Sequence, residues 1–274
     1  MLRRILIIIF ILMESVSISQ TRSFEWKRFP VSYQVDSLSD WQVDLFENIF
    51  IFKKNLIQKF DSVGKLKFSE SQKKIGEIEQ LIPLNAMKLW TFSKEQQLIC
   101  SLDNTLTNLF ECIELGDLDC EYVTKVATSS QPNKVWLFDQ VNYNLLFYSI
   151  KGRNQSQRIT NLNQTLGLNQ LEKMEEFENR LFLFDKQKGV YILDIYGTLI
   201  QHLAIENATS VLLDSKFIVI NHDNKLELFN YQGDNLLEIQ LPEELKDIKE
   251  VKKVGDHYFF RLKNQVLKYC LVLN

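Results

Sequence analysis

The sequence predicts an all-β chain folded as a β-propeller of about six four-stranded blades, with the ring closed by pairing of the N- and C-terminal strands. Three observations lead there. Short apolar runs recur at Ile49-Phe50-Ile51-Phe52, Leu89-Trp90-Thr91-Phe92, Val135-Trp136-Leu137-Phe138, Leu181-Phe182-Leu183-Phe184, Phe217-Ile218-Val219-Ile220 and Tyr258-Phe259-Phe260-Arg261-Leu262. Their spacing of about 36 to 46 residues falls in the range of propeller blades. A turn of the type Asp/Asn/Ser-x-x-Gly recurs downstream of the runs, and the last unit stops at Asn274 before it has room for an outermost strand.

The chain begins with a segment that has the form of a signal peptide. Arg3 and Arg4 precede the apolar stretch Ile5 to Met13, and the small residues Ser15, Ser17 and Ser19 follow. Such a segment predicts export, with residues 1–19 removed and residues 20–274 forming one propeller domain. An apolar stretch of about nine residues is short of the roughly 20 that a spanning helix needs. Every later apolar run is broken by Asp, Asn, Lys or Gly, so no transmembrane segment is expected in the mature chain.

Each apolar run lacks alternation, which predicts a strand buried on both faces between neighbouring sheets, and it is taken as the inner strand of its blade. The polar residue after it (Lys53, Ser93, Asp139, Asp185, Asn221) opens a turn into a second strand such as Val190 to Asp194. The next turn is Asp61-Ser62-Val63-Gly64, Ser149-Ile150-Lys151-Gly152, Asp194-Ile195-Tyr196-Gly197 or Asn230-Tyr231-Gln232-Gly233. Its first side chain can bond the turn backbone, and its glycine accepts positive φ. Asp103-Asn104-Thr105-Leu106 lacks the glycine, which predicts a longer or differently shaped turn. A more polar outer strand follows, as at Thr198 to Leu203. Phe24 to Phe29 is the expected outer strand of the last blade. Gln155 to Glu178 is the longest stretch without strand character, and an inter-blade excursion with a helical turn near Gln170 to Glu176 is expected there.

Nineteen Phe, nine Tyr and four Trp against nine Gly and four Pro describe a chain rich in strand formers. Lys and Arg total 32 against 35 Asp and Glu, for a net charge of −3, and no basic block tracks a phosphate backbone, so nucleic acid is not an expected partner. The densest basic cluster, Lys246 to Lys253, is interleaved with Asp247 and Glu250, as on a solvated face. Trp90 and Trp136 hold equivalent places in successive runs and are expected as fillers between blades. Trp26 and Trp41 lie outside the runs, as rim aromatics or as part of a closing strand. Cys112 and Cys120 bracket Gly116-Asp117, so a hairpin there would allow a disulfide; an inert buried thiol is the default for the others.

The run Asn224-Lys225-Leu226-Glu227-Leu228-Phe229-Asn230-Tyr231-Gln232-Gly233 resembles the NHL-type propeller repeat, in which an Asn-x-basic-aliphatic strand leads to Phe-Asp-x-x-Gly. Phe60-Asp61-Ser62-Val63-Gly64 and Leu193-Asp194-Ile195-Tyr196-Gly197 resemble its second half. The resemblance implies ligand or protein binding at one mouth of a ring; some NHL-like propellers bind RNA and some are metal-dependent lyases. The lyase mode needs several metal-binding histidines, and this chain has only His202, His222 and His257.

The candidate site residues at one mouth are Asp139, Asp185 and His222. Asp139 and Asp185 hold equivalent turn positions in successive blades, where paired carboxylates can bind a cation or serve acid/base chemistry, or where each can simply cap its own turn. His222 follows an apolar run and precedes Asp223. No phosphate loop, Gly-x-Ser-x-Gly elbow or His-Glu-x-x-His helix occurs, and no cofactor or metal is expected. The expected function is that of a binding or scaffold protein with a protein partner, acting outside the cytoplasm in a periplasm or at a cell surface. The alternative is a periplasmic hydrolase or lyase with a site built from turns at one mouth.

Overall fold

The computed structural model describes residues 24–150, 157–206, 208–213, 217–222 and 224–273. The segment expected to act as a signal peptide and the Lys151-Gly152 half of one predicted turn lie outside the described residues.

Six four-stranded antiparallel sheets form the blades of a propeller. The chain enters through β1 (Phe24–Gln34) and then builds blade 1 from β2 (Asp40–Val43), β3 (Ile49–Lys53), β4 (Leu56–Phe60) and β5 (Leu66–Ser71). Blade 2 holds β6 (Gln80–Pro83), β7 (Lys88–Ser93), β8 (Leu98–Asp103) and β9 (Asn108–Glu114). Blade 3 holds β10 (Val123–Thr128), β11 (Lys134–Asp139), β12 (Asn144–Ser149) and β13 (Gln157–Ile159). Blade 4 holds β14 (Lys173–Phe177), β15 (Arg180–Asp185), β16 (Gly189–Asp194) and β17 (Leu199–Leu203). Blade 5 holds β18 (Ser210–Leu213), β19 (Ile218–His222), β20 (Lys225–Phe229) and β21 (Asn235–Gln240). Blade 6 holds β22 (Glu250–Val254), β23 (His257–Arg261) and β24 (Gln265–Leu273), and β1 returns to complete it.

The apolar runs are the second strands of their blades, not the first. A further strand precedes each run and lines the hub: β2, β6, β10, β14, β18 and β22. These strands are hard to see in the sequence because one face of each meets a channel and the other meets the core. In β2, Trp41 and Val43 are buried while Asp40 and Gln42 face the channel, so a strand of four residues carries only two apolar ones. The second strands have neighbours on both faces, and Ile49 to Phe52 and Val135 to Phe138 are buried without a break. Fully burying an aliphatic or aromatic side chain stabilises by about 1.5–3 kcal/mol, which makes these six strands the main apolar framework.

β1 closes the ring. It pairs antiparallel with β24 from Phe24 opposite Leu273 to Gln34 opposite Gln265. The register shifts between Arg28 and Ser32, where Pro30, which has no N–H to give the ladder, is tolerated in a bulge. Trp26 meets Tyr258 edge-on with centroids 5.1 Å apart, and its Nε1 donates to the Gln240 carbonyl of blade 5 at 2.9 Å. Trp26 is therefore part of the closing strand, and Trp41 lies buried in the hub strand β2 rather than at the rim.

The third-to-fourth-strand turn recurs with one geometry. Asp194 accepts from the N–H groups of Tyr196 (2.9 Å) and Thr198 (2.8 Å), and Gly197 closes the turn at φ +89°. Asp61 and Asn230 do the same in blades 1 and 5. Asp103 also does so, with Thr105 at 2.8 Å and Thr107 at 2.9 Å. The blade 2 turn is thus neither longer nor different: Leu106 adopts φ +71° in the place of glycine. A left-handed residue with a Cβ costs about 1–2 kcal/mol, and Leu106 offsets this by being fully buried in the core between blades 1 and 2.

Two further expectations need correction. The helical turn of the blade 3 to blade 4 crossover spans Leu162–Thr165, not Gln170 to Glu176. Leu162, Leu168 and Leu171 anchor that crossover in the core, and the chain from Lys173 is needed as the hub strand of blade 4. The disulfide joins Cys100 to Cys112, not Cys112 to Cys120. Cys100 and Cys112 lie directly opposite in the β8–β9 ladder, while Gly116-Asp117 belongs to a 3-10 turn in the crossover and makes no hairpin. Cys120 stays free, and burial, with the nearby Asp139 carboxylate, pushes its thiol up to about 11.

Two measurements test this description. In urea melts, Leu106→Ala should cost about 2–5 kcal/mol, and Leu106→Gly less than that, since glycine accepts positive φ without strain; the reverse order would show that the turn backbone is not strained. A non-reducing peptide map should link Cys100 to Cys112 and leave Cys120 and Cys270 alkylatable, and a Cys112–Cys120 peptide would contradict the ladder register.

Candidate functional site

The strand order gives the ring two unlike faces. Second-to-third-strand turns and blade-to-blade crossovers share one face; first-to-second and third-to-fourth turns share the other, here called the hairpin face. Asp139, Asp185 and His222 all lie on the crossover face, at the ends of β11, β15 and β19. Asp139 is buried and accepts from the N–H groups of Glu121 (3.2 Å), Tyr122 (3.2 Å) and Val141 (3.1 Å) and from Asn142 Nδ2 (3.0 Å). Burial pushes its carboxyl up, but these four donors outweigh that and hold it below the usual carboxylate range. Asp185 is also buried and accepts from the backbone of Asn169, Gln170, Gln187 and Lys188 at 2.9–3.3 Å. Each carboxylate therefore ties its own turn to the crossover entering its own blade.

Related work is done in other blades from this position or the one before it. Lys53 stands at the same position, and its Nζ reaches Asp36 Oδ2 at 3.1 Å in the crossover into blade 1. Asn221 and Arg261 stand one residue earlier, level with Phe184, as the bonds from Glu172 to Phe184, Thr209 to Asn221 and Lys249 to Arg261 show. Asn221 pairs with Thr209 of the crossover into blade 5. Arg261 is buried and donates to the carbonyls of Val35 (3.3 Å) and Asp36 (2.6 Å), so that it staples the crossover into blade 1 across the closing seam.

The histidines sit apart. His222 Nδ1 is 3.9 Å from Glu227 Oε1, and His202 stacks on Tyr191 with centroids 4.1 Å apart. His257 Nδ1 donates to Glu47 Oε1 on the hairpin face, where Glu47 Oε2 also accepts from Lys268 Nζ. Among the described residues no group of three or more His, Cys, Asp or Glu is placed to hold a metal ion. The Glu47 cluster joins blade 1 to blade 6 under Phe29 of β1, whose ring stands edge-on to His257 at 4.9 Å. Burial pushes the Glu47 carboxyl up, and the hydrogen bonds from Lys268 and His257 outweigh that, leaving it below the usual value.

A cavity of about 810 Å3 lies along the central channel, walled by the hub strands. Its wall is held by side chains that cross from one hub strand to the next. Gln80 donates to Val126 O at 3.2 Å and accepts from Val126 N–H at 2.8 Å. Gln42 Nε2 donates to Leu81 O at 3.3 Å, and Lys173 Nζ to Val211 O at 3.1 Å. Lys252 Nζ donates to Trp41 O at 2.8 Å and to Gln42 Oε1 at 3.1 Å. Part of the Lys246 to Lys253 cluster is therefore hub lining and not a solvated face. No sequence signal marked Asp40, Lys125, Lys173 or Lys252 as channel residues, because the hub strands that carry them are short and half polar.

The channel charges are unequal in their company. Lys173 pairs with Glu175 at 2.7 Å, and Lys252 lies 3.4 Å from Glu250. Burial lowers Lys252, with Lys173 acting in the same sense, against the pull of Glu250. Lys173 goes the other way: burial works to lower it, but Glu175 and Glu250 hold it above its ordinary value. Asp40 is raised by enclosure in the channel and then by Glu250 and Glu79, with Lys252 and Lys125 opposing.

No protein-family model matches this chain, and no curated protein sequence does. Solved structures do. A virginiamycin B lyase from Staphylococcus aureus superposes with a TM-score of 0.64 at 11% identity, over 91% of this chain and 100% of the lyase. The Pan2 WD40 domain of Neurospora crassa gives 0.60 at 10% identity, over 86% of this chain and 79% of that domain. A chain of the mitotic checkpoint complex gives 0.56 at 12% identity, over 84% of this chain and 73% of its own length. The resemblance is one of fold. A distant likeness to propellers of the six-bladed type is what these identities support, in line with the NHL-like turn chemistry.

The Glu47 seam yields a pH test. A carboxyl lowered on folding adds stability that is fully present above its unfolded pKa and is lost as pH falls through the folded value. Glu47→Gln should cost about 1.5–3 kcal/mol at neutral pH, the usual worth of hydrogen bonds to a charged group, and the gap to the parent should narrow below about pH 4. A gap that stays constant from neutral to acid pH in urea melts would remove Glu47 as the titrating link.

Proposed function

We propose that this propeller is an exported binding protein that holds a protein partner on its hairpin face. The observation that carries the reading is the set of apolar side chains at the turn tips of that face. Leu45 and Phe46 on the β2–β3 turn are 78% and 59% exposed, and Met87 on the β6–β7 turn is 64% exposed. These are consecutive blades, and Leu45 also rims the channel mouth. Val63 and Tyr196 stand farther out on the same face, 77% and 72% exposed. The crossover face has Leu38 and Val141, two blades apart, 76% and 55% exposed; scattered exposed hydrophobics of that kind need no explanation, but apolar tips on adjacent turns mark an interaction surface. A partner that presents apolar side chains suits them.

Export has two supports. The first twenty residues have the charge and hydropathy pattern of a signal peptide, and the Cys100–Cys112 disulfide belongs to an oxidising compartment. Among the described residues no helix is long and apolar enough to cross a membrane. The rival reading, a hydrolase or lyase working from Asp139, Asp185 and His222, has less support. Asp139 and Asp185 would first have to be released from the backbone donors that hold them.

The test is recovery of a stoichiometric partner by the tagged protein from its native envelope fraction at moderate salt. The double substitution Leu45→Asp, Phe46→Asp should reduce recovery at least tenfold, as expected for loss of a binding hot spot of about 2 kcal/mol. Val141→Asp, on the opposite face, should leave recovery unchanged. Retention of the partner by the double variant would refute the hairpin face as its dock.

A further inference from the structure

Each hub strand contributes side chains to the channel, and most of the charged ones it carries are paired, either with a neighbouring blade or within their own. Asp40 at the start of β2 and Lys125 in β10 differ: both line the channel, and neither side chain forms a hydrogen bond or an ion pair among the described residues. They stand on blades 1 and 3, with blade 2 between them, near enough for Lys125 to act electrostatically on Asp40. On that side blade 2 offers Gln80 and Ile82, which carry no charge, and Glu79, which is paired with Lys94 at 3.6 Å. The hub strands thus present one unengaged carboxylate and one unengaged ammonium on either side of blade 2.

The remaining wall sharpens this polarity. Glu250 lies on blade 6 beside Asp40, and Lys173 on blade 4 beside Lys125. Removal from bulk water and then the neighbouring Glu250 and Glu79 raise the Asp40 carboxyl, and an ammonium bound beside it would favour the charged form. Val211 and Leu213 of β18 supply an apolar strip on the far wall. A cavity of about 810 Å3 with a few opposed polar groups and an apolar strip has the size and make-up of a small-ligand site.

We propose that the channel binds a small zwitterion of the amino acid or short peptide class, its ammonium at Asp40 and its carboxylate at Lys125. Each end makes a charge-assisted hydrogen bond that neither side chain makes within the protein. A diamine satisfies Asp40 and repels Lys125; a dicarboxylate does the opposite. The site therefore selects by charge pattern. It is independent of the hairpin face, so failure of one reading leaves the other standing.

The experiment is calorimetric titration of the full chain with glycine, γ-aminobutyrate and tetraglycine, and with putrescine and glutarate as single-sign probes. At least one zwitterion should bind more tightly than either single-sign probe. Asp40→Asn and Lys125→Met should each weaken that binding roughly ten- to hundred-fold, the range for loss of one hydrogen bond to a charged group. Both variants should keep the parent melting temperature, because neither side chain holds the fold; if one melts early, the other carries the test. Absence of zwitterion binding at millimolar concentration would overturn the proposal, as would binding that both substitutions leave unchanged or a single-sign probe that binds as tightly. Binding of tetraglycine alone would support it and identify a peptide, and binding of a free amino acid alone would support it and identify a monomer.

Discussion

The pairing of β1 with β24 is the constraint on which the rest of this molecule depends. Without β1, blade 6 would be a three-stranded sheet with β24 as a bare edge, and the core around Trp26, Tyr258 and Phe260 would open to water. The hub would also lose its geometry, since the bonds from Lys252 to blade 1 require blades 6 and 1 to be neighbours. A ring leaves no hub strand at an open end, and the channel exists only because the last gap is closed. The contacts that span more than two hundred residues of sequence gather at this seam: Arg261 with Val35 and Asp36, Lys268 with Glu47, and Trp26 with Gln240. Such long-range pairing is slow to find during folding, and it joins ends that no local turn brings together.

Within that closed ring, two adjacent positions share one mechanical task and carry it out with different chemistry. At the end of the second strand, Asp139 and Asp185 accept from crossover N–H groups, Asn221 pairs with a threonine, Lys53 forms an ion pair, and Arg261 donates to crossover carbonyls. A crossover backbone exposes both donors and acceptors, and buried ones must be satisfied. An acceptor side chain suits a crossover that presents N–H groups, and a donor suits one that presents carbonyls. The polarity of the residue follows from the local conformation of the loop it meets. This accounts for aspartates that look like a recurring pair in the sequence and yet are each engaged with their own blade.

What could be read from the sequence follows from burial. Strands with two buried faces leave continuous apolar runs, and turns that need positive φ leave glycine behind an Asp or Asn, so blade period, blade number and ring closure were all legible. The hub strands were not, because one face meets the channel and β2 or β6 has only four residues. Leu106 misled because a buried leucine can hold a backbone conformation that usually requires glycine. The disulfide misled because proximity in sequence suggested a hairpin where the chain makes a crossover, while the true partner lies one strand back in the ladder. The channel residues share the fate of their strands: nothing about Asp40 or Lys125 is distinctive until the ring places them around one cavity.

That cavity also separates residues that serve the fold from residues that do not. Gln42, Gln80, Lys173 and Lys252 carry bonds between blades, so their polarity has a structural reason. The side chains of Asp40 and Lys125 carry none, and an uncharged polar residue at either place would keep the channel wall equally well. Stability alone therefore gives no account of their charge. Charged groups on a cavity wall that no contact within the fold explains are characteristic of binding sites, where a few placed polar groups orient a ligand. By that criterion the inside of the ring has a stronger claim to small-molecule chemistry than the crossover face, whose carboxylates are already fully engaged with backbone.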